Sequence, residues 1–85
     1  MNYSIYCIRD SVLDAFEPPF AALNDAAASR SFRNALEDPD SPYYKNREDY
    51  SLWRVGEFDT LAGLSANAPV RLLSGFGGDS NGKEV

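Results

Sequence analysis

Tyr43, Tyr44, Lys45, Arg47, Tyr50, Trp53 and Arg54 fall within residues 43–54, the densest mix of aromatic and cationic side chains in the chain. Planar π faces interleaved with fixed positive charges can stack on unpaired bases, at about 1–3 kcal/mol per base, while the cations follow the phosphates. Arg30 and Arg33 form a second, sparser basic candidate. The same residues admit a plainer role, with Tyr50 and Trp53 packed in a core or a dimer interface and the charges solvated. Both readings stay open on the residues alone.

Covalent and metal chemistry find less support. The chain has no histidine, the commonest general base, and one cysteine, Cys7. A nucleophilic thiol needs a lowered pKa and an exposed position, whereas Cys7 lies mid-strand and reads as a small core residue. The same two facts argue against zinc. The carboxylate pairs Asp38/Asp40 and Glu48/Asp49 fit turn caps and solvated loop charges better than metal ligands. The run Gly75-Phe76-Gly77-Gly78 is glycine-rich, but no helix follows it to present amides to a phosphate. We therefore expect no enzyme, no cofactor and no metal.

With 85 residues the chain makes one domain. A chain this short buries only about 60–65% of its unfolded surface, so its core is marginal. A lone cysteine excludes an internal disulfide, which leaves oligomerisation as the means of adding stability. The net charge of −5 opposes charge-driven, non-specific nucleic-acid binding. A local basic strip remains compatible with it. The first ten residues lack a basic n-region and a long apolar run, so no signal peptide is expected. No stretch approaches the roughly 20 apolar residues of a membrane span. A cytoplasmic setting is the expectation.

The elements that must position these side chains can be read from periodicity. Residues 2–9 alternate, with Tyr3, Ile5 and Cys7 on one side and Ser4, Tyr6 and Ile8 on the other, as in a central strand. Residues 12–16 are ambiguous between a helical turn and a strand. Pro18 and Pro19 then stop any helix, and residues 20–23 can return as a short strand beside the first. Asn24 suits a helix N-cap and Asp25 the first turn. Ala28, Phe32, Ala35 and Leu36 follow as the apolar stripe of an amphipathic helix, which ends at Asp38-Pro39. Residues 39–49 read as an irregular connection. Residues 50–58 and 69–73 are β-prone arms of a hairpin, with Asp59 and Gly63 supplying turn chemistry between them. Gly56 inside the first arm marks a bulge or a close backbone approach. Without a bulge, Leu52 and Phe58 share one face and Trp53 and Val55 the other. One helix covers one face, and a second copy of the chain would cover the other, most simply as a two-fold dimer. Residues 74–85 hold four of the six glycines and few apolar side chains, as in a disordered tail.

Longer strings carry a resemblance. The segment SPYYKNREDYSLWRVGEFDTLAGL resembles the pattern P-x-x-K-x-x-E-D-Y-x-L-x-x-(V/L)-G-x-F-D-x-x-x-G of the small nonstructural protein of gokushoviruses and related microviruses. Upstream, IRDSVLDAFEPPF looks like that family's opening V-R-D-x-x-x-x-x-F-x-x-P-F, with Ile8, Arg9, Asp10, Phe16, Pro19 and Phe20 in place. AAASRSFRNAL resembles its central helix, and Asn46-Arg47 departs from a His-Pro-like pair. The likeness covers roughly residues 3–73. It implies a phage-encoded nonstructural protein in the cytoplasm of the bacterial host, DNA-binding and tied to single-stranded genome synthesis and packaging. No catalytic residue comes with it.

The expectation is thus an α+β fold, residues 1–73, with a small antiparallel sheet of three to four strands, one helix packed on one face, and a disordered tail at 74–85. Its expected role is non-enzymatic single-stranded DNA binding, as a homodimer, through Tyr43, Tyr44, Lys45, Arg47, Trp53 and Arg54 with Arg30 and Arg33 as extensions. The alternative is a protein–protein adaptor engaging phage replication or assembly proteins.

Overall fold

In a computed structural model, which describes residues 1–75, the N-terminal alternation becomes strand β1, Asn2–Asp10. Two short strands follow, β2 (Ala15–Phe16) and β3 (Phe20–Ala22), then helix α1 (Asp25–Glu37) and the long strands β4 (Tyr50–Asp59) and β5 (Gly63–Ser74). All pairings are antiparallel and the sheet is curled. Its order is β2-β1-β4-β5, with β3 also paired to β1, so β1 is central as its two apolar faces suggest. The fold is α+β, with a five-stranded sheet in place of the expected three or four strands. The ambiguous residues 12–16 account for the difference. Asp10 accepts the backbone N–H of Val12 at 2.9 Å and Asp14 takes a left-handed φ of 56°, which turns the chain back as β2.

Helix α1 begins where its capping chemistry places it. Asn24 Oδ1 accepts the Ala27 N–H at 2.8 Å, supplying a partner for one of the unpaired donors of the first turn. Ala28, Phe32 and Leu36 are buried and join Tyr6, Ile8, Leu52 and Leu73 in one cluster. Ile8 pairs with Leu52 and Leu52 with Leu73, a row across three strands on the core side of the sheet. The helix ends at Asp38 with no basic residue in its last turn. Arg47 supplies the missing cation from the following loop, its guanidinium Nη1 donating to the Leu36 carbonyl at 3.4 Å. That loop is irregular as expected, except for a 3-10 turn at Arg47–Asp49.

The hairpin keeps the expected turn residues and shortens the expected loop. Asp59 accepts the Leu61 N–H at 3.1 Å and Gly63 sits at φ 91°. β5 starts at Gly63, however, not at Pro69. Ser65 and Ala66 have modest β-propensity, but pairing with Glu57 and Gly56 on β4 overrides it. A Cβ on Gly56 would overlap the Ser65 carbonyl oxygen, so this glycine is a close-approach site as its position predicts. The regular structure also runs past residue 73. Ser74 belongs to β5, and the Gly75 N–H donates to the Tyr50 carbonyl at 2.8 Å, with the Arg47 carbonyl where a Cβ would sit. The rest of the expected tail, residues 76–85, lies outside the described residues.

A bulge also resets the faces of β4. Ile5 pairs with Gly56 and Tyr6 with Arg54, which leaves Val55 as the extra residue. Phe58, paired with Tyr3, therefore falls on the same side as Trp53, paired with Cys7, and not with Leu52. The sheet acquires an aromatic face away from the core cluster.

Candidate nucleic-acid interface

That open face is built from alternate residues of four strands. β1 contributes Tyr3, Ile5, Cys7 and Arg9, and their cross-strand partners bring Phe16, Trp53 and Phe58 to the same side. The rings form two pairs. Phe16 meets Trp53 edge to face at a centroid distance of 5.8 Å and 86°, and Tyr3 lies 6.4 Å from Phe58. The Trp53 indole N–H donates to the Ser51 hydroxyl at 2.8 Å, which fixes the ring plane. Trp53, Tyr3 and Phe58 are half-buried, and Phe16 is 44% exposed.

The charge on this side differs in sign from the whole molecule. Arg71 pairs with Trp53 across β5, and Arg9 pairs with Phe16. The strand carboxylates Asp10, Glu57 and Asp59 pair with Tyr50, Ser4 and Asn2, in phase with the core side. Asp14, in the turn before β2, forms an ion pair with Arg9 and is the carboxylate nearest this face in sequence and pairing.

The residues singled out from sequence do not form one strip. Trp53 lies on the open face. Its neighbour Arg54 points to the core side, where it forms an ion pair with Asp25 in the first turn of α1. The fully buried Tyr6 hydroxyl donates to the same carboxylate at 2.8 Å. Burial pushes the Asp25 carboxyl up, but the hydrogen bonds from Tyr6 and Arg54 and the guanidinium charge outweigh it, so its pKa lies below the ordinary carboxylate value. Arg54 is thereby committed to joining helix and sheet.

Tyr43 is committed as well. It packs edge to face on Tyr50 at 4.9 Å and donates its hydroxyl to the Glu17 carboxylate. Burial first, then that acidic partner, pushes its phenol up to about 12. Tyr44 is exposed, with the Arg47 guanidinium 5.6 Å from its ring centroid, and Lys45 beside it is exposed. These three form a small aromatic–cationic cluster at the C-terminal end of α1. Arg30 and Arg33 line a different feature, a cleft of about 470 Å³ between α1 and β5, together with Ser29 and Leu72. The predicted set thus divides among the open face, the core side, the loop cluster and the helix cleft. Tyr3, Arg9, Phe16, Phe58 and Arg71, which complete the open face, were not among the candidates. The matched parity of β1 and the first arm of the hairpin was the available signal, hidden by the bulge at Val55.

Cys7 is 7% exposed, and burial raises its thiol above the ordinary value. No cluster of three or more metal-ligating side chains occurs among the described residues. No helix among them is long and apolar enough to cross a membrane.

A family model described as "Phage ORF5 protein" matches residues 3–76. The chain belongs to the phage ORF5 family. It is a phage protein, and the match spans the open face, the helix and the loop cluster alike. Neither the curated proteins nor the solved structures contain a match to the ORF5 chain.

Proposed function

We propose that this phage protein binds single-stranded DNA through the open face of its sheet, as a nonstructural protein of genome replication or packaging in the host cytoplasm. The observation that carries this reading is the segregation on that face. Two aromatic pairs and two arginines lie on one side of a molecule whose net charge is −5, and the strand carboxylates lie on the other. Exposed bases stack on aromatic side chains of a sheet without regard to sequence, and arginines beside them meet the phosphates. An acidic protein binds a polyanion best where its own carboxylates are few, and here the nearest, Asp14, is an exposed partner of Arg9 that a phosphate would have to displace.

Trp53 is the sole tryptophan, so its emission reports stacking directly. Binding of a labelled oligonucleotide, followed by anisotropy and by Trp53 quenching, tests the proposal. Trp53→Leu and Phe16→Leu keep apolar packing and remove the stacking plane. Each is expected to weaken binding about five- to a hundred-fold. With Arg9 and Arg71 as the phosphate contacts, the salt dependence is shallow, with a log–log slope of about −1.4. Lys45→Ala/Arg47→Ala leaves this slope unchanged. No binding by the wild-type chain at low salt and high micromolar concentration refutes DNA binding and favours the adaptor. Binding lost in Lys45→Ala/Arg47→Ala but retained in Trp53→Leu moves the site to the loop cluster.

A further inference from the structure

The two edges of the sheet are protected very differently. On one side the edge consists of β2 and β3, two and three residues long, interrupted by Pro18 and Pro19. Short, proline-broken strands offer little for another chain to pair with. On the other side β5 is the edge for its whole twelve residues. Residues 64–68 are all exposed and uncharged, and the devices that usually block edge pairing, a break in the ladder and a proline, come only at their far end, at Asn67–Pro69. Leu64 is 73% exposed and Leu61, in the adjoining turn, 94%.

The sequence of this edge says which partner it suits. In a two-fold antiparallel contact over residues 63–68, Gly63 lies opposite Ala68, Leu64 opposite Asn67 and Ser65 opposite Ala66 of the other copy. A charged residue in so short a segment would lie close to its own copy, and like charges near each other across strands are destabilising. Residues 60–70 form the longest uncharged run in the chain, although Asp, Glu, Lys and Arg make up 25% of it. Elsewhere two copies of a protein with net charge −5 repel at close approach. Along this run they meet without opposed charges, through backbone groups and small side chains.

We propose that residues 63–68 are a dimerisation edge, where β5 pairs antiparallel with β5 of a second copy to make one continuous sheet. A two-fold axis perpendicular to the sheet puts both open faces on the same side. The partner sits at the edge, so the aromatic face is left uncovered, unlike the face-to-face dimer expected from sequence. This inference does not depend on DNA binding.

Light scattering after size exclusion, across the micromolar range, measures the state of the full chain. The wild type is expected at twice the 9.4 kDa chain mass. Ser65 and Ala66 are exposed and lie at the centre of the paired run, so Ser65→Asp/Ala66→Asp sets like charges opposite each other. It is expected to elute as a monomer with an unchanged circular dichroism spectrum. Ser65→Lys/Ala66→Lys is likewise expected to be monomeric. An equimolar mixture of the two folded variants restores the dimer, because opposite charges now face each other. A monomeric wild type overturns the proposal. So does a dimer that survives both variants, or a mixture that stays monomeric.

Discussion

Asp25→Ala removes the junction between α1 and the sheet, and its cost can be worked from the groups it strands. The Tyr6 hydroxyl donates to Asp25, and Tyr6 is 0% exposed, so water cannot replace the lost acceptor. A buried donor without a partner costs about 1–3 kcal/mol. Loss of a carboxylate from the first helical turn adds about 0.3–1 kcal/mol. The Arg54 ion pair contributes little, because its side chains are 35% and 46% exposed and such pairs are worth about 0–1 kcal/mol. We expect a total near 2–3 kcal/mol and, at about 4–8 °C per kcal/mol for a domain of this size, a fall in Tm of about 10–20 °C. Tyr6→Phe removes the donor as well as the hydrogen bond and should cost about 1 kcal/mol. In the double variant the orphaned hydroxyl is gone, so a coupling energy of about 1 kcal/mol is expected in urea melts. The pH dependence has a defined sign. The Asp25 carboxyl titrates lower in the folded state than its ordinary 3.8, so its contribution is present above that value and disappears as pH falls through the lowered one. Asp25→Asn should flatten this part of the acid limb. A loss below about 0.5 kcal/mol in Asp25→Ala, the level of an unremarkable surface change, refutes the reasoning.

Two further outcomes follow from contacts already described. Gly56→Ala drives a Cβ into the Ser65 carbonyl and should destabilise by about 1–3 kcal/mol in urea unfolding; a neutral result would show that β5 can shift at no cost. The Tyr43 phenol, raised from 10.0 to about 12, stabilises the fold fully below the ordinary value, and that contribution is lost as pH rises through about 12. In an absorbance titration Tyr43→Phe should lose the latest phenolate step, and a late step of unchanged size means that Tyr43 is solvated.

Where local chemistry decides, the fold was legible. Asn24 at the N-cap, the Ala28–Phe32–Leu36 stripe, the Asp59 and Gly63 turn and the Gly56 close approach each depend on residues near in sequence, and each is in place. The differences lie where pairing overrides propensity. Residues 63–66 look like loop because glycine, serine and alanine favour strands weakly, yet opposite β4 they have a ready row of backbone partners. β2 exists because Asp14 tolerates a left-handed turn, which no apolar period announces.

The candidate interface was harder to read, for a reason of parity. Aromatic and cationic residues close together in sequence read as one strip, but neighbours on a strand point to opposite sides. Trp53 and Arg54 therefore separate, one to the open face and the other to Asp25. Residues far apart in sequence then complete the face: Tyr3 and Phe58 come together only because Val55 bulges, and Arg71 reaches Trp53 only through the hairpin register. A strand that ran regularly through Val55, with no bulge, would put Phe58 on the core side and leave Trp53 behind. The bulge is thus the feature that makes one aromatic face of two half-faces, and the proposed stacking surface depends on it as much as on any ring it contains.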